Sequence, residues 1–411
     1  MPNIAAPSKP KHLKALALTV AAMATICLPP LAHAACQNTQ SFSSWLSGYK
    51  KQAAAEGISR RTIQRALGGI QLSRKVIRRD RRQGFFAQGF DTFSKKLATN
   101  YRMNAGRKQI KKYRRFFDRA QSEFGVPPEV ITAFWALESD FGAGMGKFSV
   151  LTALATLAYD CRRKELFTGE LTAALKIIDK GDLNPEDMIG SWAGELGQVQ
   201  FLPRHYLEHA IDYDGNGRAN LFTNNGDIIG TTAAFIKHLG WKAGEPWLHE
   251  VRVPRQLPWD QAELDIKHPR SQWAAWGVRR ADGSPLPADS QPASLLLPMG
   301  RFGPAFLAYP NFDIYTQWNN SLNYSTTAAY LATRIAGAAS MKGRDRKFPR
   351  LDVKQIKQMQ RTLTRRGFDV GKADGIVGAK TRAAVRAMQK KYGLPADGFP
   401  TPSLLNKLRA S

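Results

Sequence analysis

The segment that most constrains the fold is an apolar helix that ends on a single carboxylate. Pro127 and Pro128 suit the first positions of a helix, and apolar side chains from Val130 to Leu137 then follow helical spacing. Glu138 lies one and two turns after apolar residues, so its side chain leaves the helix on the apolar side. Burial disfavours a carboxylate anion and raises its pKa, as a general acid near neutral pH requires. The alternative for such a glutamate is a helix cap or an ion pair.

A glycine-rich loop follows this helix. Gly142, Gly144 and Gly146 lie within five residues of one another. Glycine permits close approach of a ligand to the backbone at a cost in stability. We therefore expect a functional loop beside Glu138.

Length and composition indicate a folded protein of two or three domains. The chain has 411 residues, of which 43% are hydrophobic, which excludes a disordered protein. Residues 1–34 have the pattern of a secretory signal: three lysines, an apolar run over residues 15–28, and the small-residue site Ala32-His33-Ala34. The apolar run is too short to span a bilayer well. We therefore expect an exported protein without a transmembrane segment.

Cysteine usage agrees with export. After removal of the signal the chain keeps Cys36 and Cys161, and one pair in an oxidising compartment favours a disulfide. Two free thiols remain the alternative. Cys36 also allows a lipid anchor, although His33 stands where such a cleavage site prefers an aliphatic residue.

The chain is strongly basic, with a formal net charge of +27. The excess is concentrated in residues 74–82 and 108–115. Such patches attract polyanions, and for an exported protein these are wall polymers, membrane lipids or acidic peptides rather than nucleic acid. The alternative is a solvated helix face that keeps the protein soluble.

The chain divides into a large and a small region after the signal. Residues 35–340 are predicted to be mainly helical, with few strand-like runs such as 294–298, and residues 341–349 form a basic linker. Residues 350–411 have their own helical periodicity, and Asp374-Gly375 and Asp397-Gly398 mark tight turns. This tail resembles the peptidoglycan-binding domain, a small three-helix module. The motifs that carry the resemblance are 360–363, 367–368, 374–378 and 381–389.

Five motifs follow one another in the large region. They are Leu137–Gly142, Ala153–Tyr159, Gly194–Pro203, Asp212–Gly217 and Gln317–Ser321. In this order and spacing they resemble the B-type lytic murein transglycosylases, whose catalytic domain is lysozyme-like and mainly α-helical. The resemblance spans residues 37–340.

The resemblance implies cleavage, without water, of the β-1,4 bond between N-acetylmuramic acid and N-acetylglucosamine in peptidoglycan. Such enzymes use one glutamate, which matches Glu138. It would protonate the glycosidic oxygen and then remove the proton of the C6 hydroxyl, leaving a 1,6-anhydro end. Ordinary glycosidases need two carboxylates. Asp140 lies about 200° further round the helix, which argues against a place in the same site.

Two further functions stay open. A hydrolytic muramidase would need a second carboxylate, for which Glu195 is the candidate. A non-catalytic wall-binding scaffold would keep the tail and the cleft but could dispense with Glu138.

The resemblance also assigns substrate-binding residues. Ser191 matches a serine near the catalytic carboxyl, with a helix cap as the alternative. Gln200 matches a cleft glutamine that can bond sugar hydroxyls or acetamides, with loop backbone as the alternative.

An aromatic and amide cluster completes the predicted cleft. Trp318 offers a stacking face for a pyranose, and Asn319 and Tyr324 match groups that bond the acetamide. Trp318 and Phe235 stand where the family more usually has tyrosine, so two hydroxyls are missing.

The loop that begins at Asp212 has the oxygen spacing of a calcium loop. Its usual glutamate at position 12 is Thr223, and a later aspartate replaces it in some relatives. The alternative is a tight turn. The predicted ligands are Asp212, Asp214, Asn216, Arg218 through its carbonyl, and Asp227.

Partners and location follow from these assignments. We expect no required cofactor, with structural Ca²⁺ as an optional addition. We also expect a monomer that binds peptidoglycan glycan strands, and no binding of nucleic acid. Other wall-remodelling proteins are further candidate partners. The expected location is the periplasm, with wall or membrane association.

Overall fold

The computed structural model describes residues 38–81, 88–342 and 349–410. The predicted signal, Cys36 and most of the predicted linker lie outside these ranges. Within them the fold is mainly helical, as predicted, with seventeen α-helices and seven short strands. None of these helices combines the length and apolar character needed to cross a bilayer.

Eleven helices form the first part of the large domain. The first six, α1 to α6, are Phe42–Ala55, Arg60–Leu67, Arg74–Arg81, Phe90–Leu97, Asn100–Lys112 and Arg114–Phe124. The next five, α7 to α11, are Pro128–Ser139, Val150–Tyr159, Lys164–Lys180, Pro203–His209 and Asn225–His238. Strand β1 (Phe148–Ser149), just before α8, pairs antiparallel with strand β2 (Ile189–Gly190), which lies between α9 and α10.

Helix α7 is the buried centre of this domain. It begins at Pro128, as the sequence predicts, and every residue from Val130 to Ala136 is buried. The helix ends where Asp140 adopts a left-handed conformation with φ of 49°. The Asp140 carboxylate accepts two hydrogen bonds from the Arg102 guanidinium, at 2.6 and 2.7 Å, and so faces α5. This pairing places Glu138 in the last turn of a fixed helix.

A five-stranded antiparallel sheet follows α11. Its strands β3 to β7 are Leu248–Arg252, His268–Pro269, Arg279–Arg280, Pro292–Leu296 and Ala305–Ala308, in the order β4-β6-β7-β3-β5. The sheet and helix α12 (Arg270–Ala275) enclose a separate apolar cluster that includes Trp273 and Leu307. The sequence indicated only the run 294–298, because strands of two to five residues show too little alternation to be detected.

Two helices return the chain to α7. They are α13 (Pro310–Trp318) and α14 (Leu322–Ile335), and α14 packs directly along α7. Ser321 caps α14 by accepting a hydrogen bond from the backbone of Tyr324 at 3.4 Å. The end of α13, the turn and the start of α14 therefore carry the predicted cleft residues Trp318, Asn319 and Tyr324.

The tail forms three helices, as its resemblance implies. Helices α15, α16 and α17 are Val353–Arg365, Ala379–Lys391 and Pro402–Ala410, and Met359, Leu363, Val385 and Leu404 lie in their core.

Two glutamines clamp the predicted Asp-Gly turns of the tail. Gln360 accepts from the backbone of Gly375 at 2.9 Å and donates to the Ile376 carbonyl at 3.0 Å. Gln389 repeats this arrangement in the second turn, where it accepts from Gly398 at 2.8 Å and donates to the Phe399 carbonyl at 3.2 Å. Each buried amide thus holds one turn beside a helix.

The tail also packs against the sheet. Arg382 of α16 donates to the carbonyls of Leu297 and Pro298, at 3.1 and 2.6 Å. One turn later the buried Arg386 forms an ion pair with Glu263 at 2.7 Å. The tail is therefore attached to the large domain through contacts of its own helix, in addition to the chain connection.

The first described residues, 38–40, lie beside the end of α8. Asn38 donates to the Tyr159 carbonyl at 2.6 Å, and the Tyr159 hydroxyl donates to the Gln40 carbonyl at 2.7 Å. These contacts hold the residues just after Cys36 close to the segment that contains Cys161. The disulfide between these two cysteines stays a prediction, because Cys36 lies outside the described residues.

Candidate active site

Glu138 has two hydrogen-bond donors on one carboxyl oxygen. The indole Nε1 of Trp318 donates to Oε1 at 2.8 Å, and the Tyr324 hydroxyl donates to the same atom. Within the described residues no group bonds to Oε2. Burial raises the pKa of Glu138 to about 7, and the nearby charge of Glu195 adds to this effect while the two donors oppose it. The carboxyl is therefore half-protonated near neutral pH.

The donors reach Glu138 because aromatic packing fixes them. The Trp318 ring stacks on Phe134, one turn before Glu138, with ring centroids 4.2 Å apart. Tyr324 is buried in the first turn of α14. The sequence assigned these side chains to the sugar, and their direct bonds to Glu138 were not predicted.

Ser191 bonds to Glu195 rather than to Glu138. Its hydroxyl donates to Glu195 Oε2 at 2.8 Å and accepts from the backbone of Ala193 at 3.1 Å. Burial raises the pKa of Glu195, against the opposing effect of the Ser191 bond. Glu195 is thus a second, half-buried acid whose charge raises the pKa of Glu138.

Gln200 lies in a strained loop conformation with φ of 51°. Its amide nitrogen donates to the carbonyls of Gly197 and Met145, at 2.8 and 3.3 Å. The amide oxygen has no partner among the described residues, which leaves an acceptor available. The backbone role and the substrate role weighed from the sequence are therefore compatible.

Asn319 bonds at the start of α14, and Phe235 packs on Trp318. Asn319 accepts from the backbone of Ser321 at 2.9 Å, next to the start of α14. Phe235 is only 7% exposed and packs on Phe201 and Trp318, with centroids 4.9 and 5.5 Å away. Phe235 thus backs the Trp318 ring.

The glycine loop has a packing role that the sequence did not indicate. A Cβ on Gly142, whose φ is 94°, would lie 2.8 Å from the amide of Gln198, and one on Gly146 would collide with the Gly190 carbonyl. Gln198 itself is buried, accepting from Trp135 Nε1 at 2.7 Å. These glycines let the 190–198 segment, which carries Glu195, pack against the end of α7.

The predicted calcium loop brings its carboxylates together. Asp212, Asp214 and Asp227 each offer an oxygen within 4.8 Å of the other two. Asp212 also accepts backbone hydrogen bonds, including one from Gly217 at 2.6 Å, and Asn216 accepts from Arg218 at 3.1 Å. Hard carboxylate oxygens clustered in this way fit the ligand preference of Ca²⁺.

The family described as "Transglycosylase SLT domain" matches residues 41–333. The chain belongs to this family. A second family, "Putative peptidoglycan binding domain", matches residues 352–408 in the tail. The resemblances stated from the sequence are thereby confirmed for both regions.

Named relatives agree with this assignment. Membrane-bound lytic murein transglycosylase B of Escherichia coli (strain K12) is 33% identical over 245 residues, covering 59% of this chain and 66% of that protein. This chain thus spans just under two thirds of that relative.

Solved structures share the fold. SltB3 from Pseudomonas aeruginosa, in complex with NAG-anhNAM-pentapeptide, is 39% identical with a TM-score of 0.83, over 90% of this chain and 100% of that chain. The Escherichia coli lytic transglycosylase Slt35, in complex with calcium, is 30% identical with a TM-score of 0.62, over 71% and 92%. The lysozyme-like, mainly helical fold class is confirmed, and so is the lytic transglycosylase prediction at the level of the family.

Proposed function

We propose that this protein is a lytic murein transglycosylase that cleaves the N-acetylmuramic acid–β-1,4–N-acetylglucosamine bond and forms 1,6-anhydro ends. The observation that carries the proposal is the Glu138 carboxyl, whose pKa of about 7 suits both donation and removal of a proton. The relatives named for this reaction, and the one bound to an anhydro-sugar peptide, support it.

The two donors on Oε1 determine where the acidic proton lies. Because Trp318 and Tyr324 both donate to Oε1, the proton of neutral Glu138 lies on Oε2. Transfer of that proton to the glycosidic oxygen breaks its bond to C1 of the muramic acid. The departing sugar leaves with a hydroxyl, and positive charge develops at C1.

The second step returns the proton. Glu138 is now an anion stabilised by the same two hydrogen bonds, and it removes the proton of the C6 hydroxyl as O6 bonds to C1. The attacking oxygen belongs to the reacting sugar, so no water need be recruited. The products are a 1,6-anhydro end and a regenerated neutral acid.

Other predicted residues bind the sugar or position the catalytic group in the proposed reaction. The free oxygen of Gln200 accepts from a sugar hydroxyl or acetamide, and Asn319 contributes its amide to the acetamide. Trp318 presents ring surface to a pyranose, with Phe235 behind it, and Ser191 acts through Glu195. These roles rest on placement in the site and on the resemblance.

Calcium and location complete the proposal. The loop oxygens of Asp212, Asp214, Asn216, Arg218 and Asp227 would hold Ca²⁺, which would stiffen the loop and take no part in proton transfer. The tail would bind wall, and we propose export to the periplasm, where glycan strands and other wall-remodelling proteins are the partners.

The test is the change Glu138→Gln with product analysis on purified sacculi in heavy-oxygen water. Wild type should release unlabelled 1,6-anhydro muropeptides, and the Gln variant should lose roughly a hundredfold to ten-thousandfold in rate while retaining binding. Glu129→Gln, the same change in the first turn of α7, is the matched control and should remain active. A Glu138→Gln variant with more than a tenth of wild-type activity would refute the assignment.

A hydrolytic muramidase is the second candidate because Glu195 lies close enough to raise the pKa of Glu138. In that case the released ends would be reducing and labelled, and Glu195→Gln would abolish them. We expect Glu195→Gln to keep anhydro products.

A further inference from the structure

Three of the seven histidines of the chain meet on one surface where α10 and α11 pack. His205 and His209 are one turn apart on α10, and their ring centroids lie 6.0 Å apart. His238, in the last turn of α11, lies with its ring 4.5 Å from that of His209. Glu208 adds a carboxylate, and its oxygen and the nitrogens of His205 and His209 lie within 4.8 Å of one another.

The proposed catalysis does not use this cluster, whose rings pack on one another and on Phe235. His205, Glu208 and His238 are exposed, and His209 is half-buried. Among the described residues no hydrogen bond engages any of the three imidazoles. The imidazole nitrogens are therefore open to a ligand, with one contact of 3.9 Å between His209 Nε2 and the Glu208 carboxylate. The cluster contacts no part of the Glu138 carboxyl.

We propose that His205, His209 and His238, with Glu208, form a binding site for a divalent transition metal ion of the zinc class. Two imidazoles one helical turn apart and a third from a neighbouring helix are a ligand set that suits zinc, copper and nickel. Tetrahedral zinc, with ligand bonds near 2.05 Å, places its ligand atoms about 3.3 Å apart. The exposed His205 and Glu208 side chains would rotate to reach this spacing when the ion binds.

The site differs in chemistry from the predicted calcium loop. The loop around Asp212 offers only oxygen, which hard cations prefer, whereas the histidine cluster offers nitrogen to borderline-soft cations. The two sites should therefore discriminate between Ca²⁺ and Zn²⁺ within one molecule.

A bound ion would connect α10 to α11 close to the aromatic residues that pack on Trp318. The Phe235 ring lies 5.2 Å from that of His205 and 4.9 Å from that of His209, and on its other side it packs on Trp318. The ion would fix the packing that supports Trp318 and would raise thermal stability. The inference rests on the cluster alone and not on the proposed glycan reaction.

The test is zinc titration of the full-length, tag-free protein with 1 mM Ca²⁺ present to saturate the loop. We expect one equivalent of Zn²⁺ by calorimetry, a higher Tm, and a tetrahedral visible spectrum with Co²⁺. The variant His205→Ala/His209→Ala should bind Zn²⁺ at least about tenfold more weakly. His238→Asn is a milder second variant and should weaken binding without loss of helix by circular dichroism.

The matched control is Asp212→Asn/Asp214→Asn, which should lose Ca²⁺ and keep Zn²⁺. Zinc binding that is absent in the wild type, unchanged in the histidine variants, or lost in the aspartate variant would overturn the proposal. Anhydro-product formation in EDTA is measured in parallel, so failure of the metal site is distinguished from failure of the glycan chemistry.

Discussion

Both aromatic donors of the site bond to Oε1 of Glu138, so each one tunes the acidity of the group. The Tyr324 bond lowers the pKa of Glu138, so Tyr324→Phe should raise it above the present value of about 7. The basic limb of the pH–rate profile should move upward by about one to two pH units, because hydrogen bonds to charged groups are worth about 1.5 to 3 kcal/mol.

Tyr315→Phe is the control for this prediction. The Tyr315 hydroxyl is buried without a hydrogen-bond partner in the described residues, and it makes no bond to Glu138. In this variant the basic limb of the pH–rate profile should lie at the same pH as in the wild type. An unchanged limb in Tyr324→Phe would mean that the hydroxyl does not act on the carboxyl.

Glu138 should also reduce the stability of the folded protein. Its pKa is raised from 4.5 to about 7 on folding, so the folded state binds the extra proton between these values and loses stability as the pH rises through them. Glu138→Gln removes the buried charge and keeps an acceptor for both donors. Urea unfolding should show the variant about 1 to 3 kcal/mol more stable than wild type at pH 8, with a smaller difference at pH 5. A difference that shrinks toward pH 8 would contradict the buried-acid description.

The sequence predicted the position of the Glu138 carboxyl but not its hydrogen-bond partners. Glu138 could be recognised because local helical spacing places it on an apolar face. Its bonds to Trp318 and Tyr324 join residues 180 and 186 positions apart, and no local pattern reports a contact of that range. The sequence placed Ser191 near the catalytic carboxyl but did not indicate its bond to Glu195.

Long helices with periodic apolar residues could be predicted from the sequence, whereas the short strands could not. Helix α7 and the tail helices were predicted from spacing and proline positions. The five-stranded sheet was missed, since two of its strands have only two residues and are defined by pairing across the sheet. The glycines at 142 and 146 were expected to approach a ligand, whereas tertiary packing against the 190–198 segment accounts for them.

At the end of α8, the predicted Cys36–Cys161 disulfide can be tested directly. The Asn38 and Tyr159 contacts bring the flanking segments together, so Cys36→Ser should cost about 2 to 5 kcal/mol of unfolding free energy in oxidised protein. Peptide mapping without reductant should recover one linked pair. Two alkylatable thiols in protein secreted through an oxidising compartment would disprove the pairing.

For the whole molecule, the attachment of the tail is the feature that the sequence did not indicate. A linker and a separately folding module suggest free tethering, yet Arg382 and Arg386 bond directly to the large domain. Side-chain contacts between regions this distant in sequence require the assembled fold. The domain boundaries predicted at 341–349 and 350 stay a prediction.

Arg382→Ala/Arg386→Ala should release this attachment. We expect limited trypsin digestion to cut the tail several-fold faster, because α16 would no longer be held on the large domain, while the helical content stays the same. Lys380→Ala is the control on α16, since Lys380 is exposed and pairs with Asp369 of the tail itself. Equal cutting rates in both variants would show that these arginines do not hold the tail.

Arg382 donates to peptide carbonyls, so its contact with the large domain does not depend on the charge of its partners. Burial lowers the pKa of this arginine to about 10, so it keeps its charge throughout neutral and acidic solution. Peptide carbonyls have no proton to gain in that range. Exposed ion pairs weaken as salt screens them or as their carboxylates are protonated. The Arg382 bonds depend on neither, so they should persist through changes of acidity and ionic strength that weaken the Arg386–Glu263 ion pair beside them.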